Sequence, residues 1–158
     1  MKVGCPALQG GKFIPSRYAY PGVRGGENTS LPVSWSMEPT ETRSFVLSII
    51  DRHPMARSWV HWILLDIPVT CHALPEGASG NRSRLPEGSV ELHNSYGEPG
   101  YGGPMPPRGS GPHDYVIALH ALNVPSLSLS EKSSYPELQT ALKGKVLVSA
   151  EVIGVFEQ

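Results

Sequence analysis

Four apolar runs stand out along the chain of 158 residues. "SFVLSIID" (Ser44–Asp51) and "SWVHWILLDIP" (Ser58–Pro68) are rich in branched and aromatic side chains, the pattern of buried strands. Pro68 ends the second, because proline cannot donate to a strand ladder. "YVIALHALNV" (Tyr115–Val124) reads as a central strand. "KVLVSAEVIGVFEQ", from Lys145, alternates apolar and polar positions as a last strand. "LPVSWS" (Leu31–Ser36) predicts a further short strand. A different period appears in "SYPELQTALKG", which predicts a helix. Ser134 is its cap, Pro136 lies in the first turn, Glu137 sits near the positive end and Gly144 is the stop. Before Ser30 the chain reads as loop, apart from an extended piece at Lys12–Pro15. Thr70–Pro99 is polar, with two similar turns, "LPEGAS" and "LPEGS".

Several strands, little helix and no regular βαβ alternation predict a mainly β, antiparallel architecture in a single domain over residues 1–158. The 17 glycines and 16 prolines fit strands joined by well-specified turns, since the apolar runs are too strong for a disordered chain. A net charge of −1 argues against a nucleic-acid partner bound through a broad basic surface, and against a polybasic membrane anchor. No run approaches the roughly 18 apolar residues of a spanning helix. "MKVGCPALQGGKFIP" breaks with Pro and Gly too early for a signal peptide, so the expected location is cytoplasmic. Cys5 and Cys71 are expected as free thiols, with a single disulfide as the alternative.

The candidate chemistry centres on "GYGGPMPPRGSGPHDY" (Gly100–Tyr115), a stiff loop that runs straight into a strand. Alternation puts His113 and Tyr115 on one face and Asp114 on the other; Trp59 and His61 share a face by the same rule. His61, between Val60 and Trp62, needs a hydrogen-bond partner if buried, and Asp51 is the expected one, favouring the imidazolium. Two imidazoles, a phenol and loop N–H groups then offer donors to an anion such as phosphate or sulfate. Glycines let the backbone approach the anion, and prolines limit the loop's freedom beforehand. The plainer readings are a hydrogen-bonded core histidine at position 61 and a turn cap at Asp51. A hydrolase is the alternative function, with His61 or His113 as general base oriented by Asp51. Against it, there is no Gly-x-Ser-x-Gly elbow, and nothing in the sequence marks Ser110 as activated. His61, His113 and Asp51 are also metal-ligand types, but they come from separated segments; no metal and no cofactor is expected.

"GYGGPMPPRGSGPHDY" resembles the Gly-Tyr…Gly-Pro-Pro-x-Gly-x-x-His-x-Tyr signature of the phosphatidylethanolamine-binding protein (PEBP) family, the Raf-kinase-inhibitor-like proteins. "WVHW", "DRHP", "NTSLPVSWS", "GKFIPSRY", "LPEGAS" and "ALKGKVLVSAEVIGVF" are similar to other family elements and fall in the family's order, closest to its compact bacterial and archaeal branch. The resemblance implies a two-sheet antiparallel β fold with short peripheral helices. It implies a regulatory binding protein more than an enzyme, with a small pocket for phosphate-like groups or phospholipid headgroups. Carried onto this sequence, Asp51, His61, His113 and Tyr115 are the pocket's polar groups. Gly103, Pro104, Pro106 and Pro107 shape its wall, and Trp59 lines it. A kinase or protease as partner, inhibited by this chain, and a homodimer are further implications. Departures are visible too. Counted back from Pro54, the family's two aspartates fall at Ile50 and Arg52, so Asp51 matches the first only with a one-residue deletion. His53 lies near the missing second. Asp114 replaces an arginine, Met105 stands where many prokaryotic relatives have cysteine, and Lys145 stands where histidine is frequent.

Overall fold

The computed structural model describes residues 1–8 and 10–158. Within them the strands form two antiparallel sheets. The smaller joins β1 (Lys2–Gly4), β2 (Val33–Ser36) and β5 (Ala73–Leu74) in the order β1-β2-β5. The larger is made of β3 (Ser44–Asp51), β4 (Trp59–Pro68), β6 (Val90–Glu91), β7 (His113–Leu122) and β8 (Val146–Phe156), in the order β6-β4-β3-β7-β8. No helix among the described residues is long and apolar enough to cross a membrane.

The lack of alternation in β3 has a simple cause. It is the middle strand of its sheet, and all eight residues are buried. Phe45, Leu47 and Ile49 pack toward Val33, Trp35 and Leu74 of the small sheet. Val46 and Ile50 face the other way, in a cluster with Leu127 and with Leu138 of the helix α1 (Tyr135–Leu142). A strand covered on both faces carries apolar side chains at successive positions. The helix starts as its sequence predicts. Ser134 Oγ accepts from the Glu137 N–H at 3.4 Å, and Glu137 Oε2 accepts from the Ser134 N–H at 2.7 Å, a reciprocal capping box. Past its end, Gly144 takes φ 71°, where a Cβ would be strained.

Some expected boundaries move. β7 begins at His113, two residues early, because His113 pairs with Phe156 of β8. The extended piece at Lys12–Pro15 reduces to one bridge, Phe13 to Val155. β1 forms where loop was expected, held by its pairing with β2. Cys5 and Cys71 are unpaired thiols, the first buried in the core.

Two features position the functional end of the large sheet. The register of β3 against β4 passes from Ile50–Val60 to Ile49–Trp62, so His61 is the extra residue of a β-bulge. Bulges re-aim side chains and recur beside functional sites. The second feature is the Gly/Pro loop ahead of β7. It is tied down residue by residue: Gly103 N–H donates to Asn28 Oδ1 (2.7 Å), the Pro104 carbonyl accepts from Tyr20 N–H (3.0 Å), and the Pro106 carbonyl accepts from Gln158 Nε2 (2.6 Å). Gly103 runs so close to the neighbouring backbone that a Cβ there would lie 2.1 Å from the Tyr18 carbonyl oxygen. Rigid backbone on both sides leaves no room to yield, so Gly103→Ala should destabilise the fold by about 2–3 kcal/mol, read as a lowered urea midpoint with unchanged slope.

Candidate functional site

Asp51 ends β3, Trp59 and His61 open β4, and His113 and Tyr115 open β7. Antiparallel pairing brings all of them to one end of the sheet, with Asp51 directly opposite Trp59 on one side and Tyr115 on the other. They surround a cavity of about 400 Å³, within the size range of small-ligand sites. Its polar residues are Asp51, His61, Tyr96, His113 and Tyr115; its apolar wall is Met55, Ala56, Trp59, Met105, Pro106 and Pro107. Met55, Trp59 and Met105 remain exposed at the rim. A wider groove of about 640 Å³ lies between α1 and the outer face of the sheet, but it holds none of the candidate pocket residues.

The hydrogen bonds within the site differ from the expected set. Asp51 does not serve His61. Its Oδ2 accepts from His113 Nδ1 at 2.7 Å, and its Oδ1 accepts from the His53 N–H at 2.8 Å. The bulge accounts for the change: it turns His61 toward the Gly/Pro loop, where His61 Nδ1 donates to the Gly102 carbonyl at 2.5 Å. The Gly102 N–H returns a bond to the His61 carbonyl at 2.8 Å. Ring and backbone of the bulge residue thus clamp the loop through a single glycine.

His113 is held at both nitrogens. Nε2 lies 3.0 Å from Ser110 Oγ, and that hydroxyl donates to the Pro107 carbonyl at 2.6 Å. The His53 ring stacks on His113 with centroids 3.8 Å apart. His53 is placed there by the tight turn Pro54–Ala56, whose N-cap it forms, accepting from the Met55 N–H at Nδ1. Arg57 and Ser58 then take left-handed φ of 49° and 60° to lead the chain into β4.

Tyr115 contrasts with this full pairing. The sealed side-chain polar atoms without a partner, among the described residues, are Trp35 Nε1, Thr42 Oγ1 and the Tyr115 hydroxyl, and only Tyr115 is in this cavity's wall. The hydrogen bond made by the His61 ring among the described residues is the one from Nδ1 to Gly102, and the ring lines the cavity.

Burial sets the electrostatics. It pulls the His61 imidazole down from 6.5 to about 4, outweighing the Gly102 and Gly103 carbonyls and Asp51, which pull upward; His113 adds a smaller downward push. The imidazolium expected at this position is therefore replaced by a neutral ring. Burial, then the Asp51 carboxylate, pushes the Tyr115 hydroxyl well above its ordinary value and keeps it an O–H donor. Tyr96 is raised in the same way.

Of the residues singled out from the sequence, Asp51, Trp59, His61, Pro106, Pro107, His113 and Tyr115 meet at the cavity. Gly103 and Pro104 do not line it; they stand behind it, binding the loop to Asn28, Tyr20 and Tyr96. Tyr96 escaped the sequence reading. It donates to the Gly103 carbonyl at 2.9 Å, stacks on Tyr20 and meets Trp59 edge-on. The one signal for it is an aromatic residue inside "NSYGEPGY", held by Asn94, whose Oδ1 accepts from the Tyr96 N–H.

The low His61 value has a consequence for stability. Between pH 6.5 and about 4 the unfolded chain binds a proton at His61 that the folded chain does not. Its contribution is complete above that window and is lost as pH falls through it, by roughly 3 kcal/mol. Urea midpoints at about pH 7.5 and about pH 4.5 check this: His61→Gln should show a clearly shallower loss than the unsubstituted protein, and parallel losses contradict it.

Comparison with known proteins agrees with the fold and the order of its motifs. A family model described as phosphatidylethanolamine-binding protein matches residues 5–157. A UPF0098 protein of Methanothermobacter thermautotrophicus is 38% identical over 145 residues, 92% of this chain and 91% of that protein. A UPF0098 protein of Aquifex aeolicus is 33% identical over 160 residues, 100% of this chain and 89% of that protein. The crystal structure of Escherichia coli YbcL, described as a new member of the mammalian PEBP family, superposes with a TM-score of 0.91 at 30% identity, covering 99% of this chain and 98% of that one. The chain belongs to the phosphatidylethanolamine-binding protein family.

Proposed function

We propose that this protein is a binding module whose cavity receives a small anionic group of the phosphate type, with the rest of the ligand lying on the apolar rim. The observation that carries this reading is the Tyr115 hydroxyl, a buried donor on a residue of the cavity wall with no partner among the described residues. An unpaired buried polar group costs about 1–3 kcal/mol, so its retention points to a partner that arrives from outside. The family to which the chain belongs is described as phosphatidylethanolamine-binding, and that ligand carries a phosphate group, which supports a phosphate-type guest. Met55, Trp59 and Met105 supply an adaptable apolar collar for whatever bears the anion.

Tyr115→Phe separates binding from folding. It should weaken inorganic phosphate by about tenfold or more, measured by calorimetric or NMR titration, while leaving thermal stability equal or slightly raised. Unchanged phosphate affinity in this variant contradicts the reading.

One arrangement favours hydrolysis as a second reading: Ser110, His113 and Asp51 form a hydrogen-bonded chain of hydroxyl, imidazole and carboxylate. Ser110 Oγ also lies 2.6 Å from the Pro107 carbonyl, which competes with His113 for its one hydrogen. Turnover of a phosphoester panel that vanishes in Ser110→Ala would move the assignment to an enzyme; no turnover is expected.

A further inference from the structure

We propose that the cavity selects oxyanions that carry a proton, phosphate monoesters in their monoanionic form above all, over fully deprotonated oxyanions such as sulfate esters and phosphodiesters. This rests on the reading of the cavity as a phosphate-type site, and narrows it. The reason lies in where the hydrogens are already committed. His61 Nδ1 donates to the Gly102 carbonyl at 2.5 Å and burial keeps the ring neutral, so the lone pair is on Nε2, in a ring that lines the cavity. Tyr96 has its hydroxyl hydrogen on the Gly103 carbonyl. Both nitrogens of His113 are engaged, by Asp51 and Ser110. Each carboxylate oxygen of Asp51 already accepts a bond. The floor therefore offers one unengaged buried side-chain donor, Tyr115, and one open acceptor, His61 Nε2; the Trp59 indole stands at the exposed rim.

Charge points the same way. No lysine or arginine is among the described residues lining the cavity, and Asp51 places a carboxylate in its wall. The groups facing His61 are Asp51 from β3, Tyr96 from the preceding loop, and His113 and Tyr115 from β7. None brings an unpaired positive charge. A bare dianion meets a lone pair and a carboxylate there. A protonated oxyanion meets both halves of the site at once: its P–O accepts from the Tyr115 hydroxyl and its P–OH donates to His61 Nε2. Specificity of this kind comes from the penalty on the wrong guest, whose oxygen would face an acceptor with no hydrogen between them.

The test uses the unsubstituted protein and ligands of one shape. Phenyl phosphate has a second pKa of about 6, so at about pH 5.5 it is mostly a monoanion bearing a proton. Phenyl sulfate and the diester methyl phenyl phosphate carry the same single charge without the proton. Calorimetric titration at that pH should show phenyl phosphate binding at least about tenfold tighter than either, and weakening by about tenfold or more at about pH 8, where its proton is gone. Phosphorylethanolamine against glycerophosphoethanolamine repeats the comparison for a soluble monoester and a lipid-type diester, the monoester again being the tighter. Equal binding of phosphate, sulfate and diester overturns the proton requirement and leaves the anion site standing. Binding of none of them, inorganic phosphate included, overturns both.

Discussion

The reciprocal clamp between His61 and Gly102 carries the rest of the site. One glycine gives its N–H to the His61 backbone and its carbonyl to the His61 ring. The clamp is available only because a bulge places His61 out of register with β3 and turns it toward the loop. It then does two things together. It fastens the Gly/Pro loop over the end of the sheet, closing one wall of the cavity, and it determines which ring nitrogen carries hydrogen. The chemistry offered to a ligand follows from a bond made for architecture.

Around that clamp the polar groups divide into engaged and unengaged sets. Asp51, His113, Ser110 and the His53 amide form a continuous chain, so both oxygens of a buried carboxylate are hydrogen-bonded. The aromatic stack of His53 on His113 and the pinned loop keep this chain in place. Tyr115 is left out of it, although its ring lies between the two histidines, 5.0 Å from His61 and 6.5 Å from His113. A fold that completes nearly every bond around one residue and omits it there has the signature of a site that gives up stability for function.

Much of the fold was legible where one physical cause dominates. β3 and β4 announced themselves as apolar runs, because middle strands are covered on both faces, and α1 by the Ser134–Glu137 box, which is local chemistry. β1, β5 and β6 were not legible: they hold two or three residues each and exist through their partners, not through their own pattern. The same distinction runs through the site. The alternation of His113 and Tyr115 followed from strand geometry, and both reach the cavity. The pairing of Asp51 with His113 instead of His61 did not follow, since a one-residue bulge leaves no mark in "WVHWILL". Tyr96 was hidden because its position depends on three hydrogen bonds between the Asn94 side chain and the surrounding backbone. Gly103 and Pro104 were located in the loop correctly, but their part is to bind it from behind.

The state of the His61 ring is the most direct test of this account. Nitrogen-15 NMR of the imidazole at neutral pH distinguishes the two neutral tautomers and the cation. A neutral ring with hydrogen on Nδ1 and a bare Nε2 is the predicted result. Hydrogen on Nε2, alone or together with Nδ1, would contradict it, because the ring would then face the cavity as a donor.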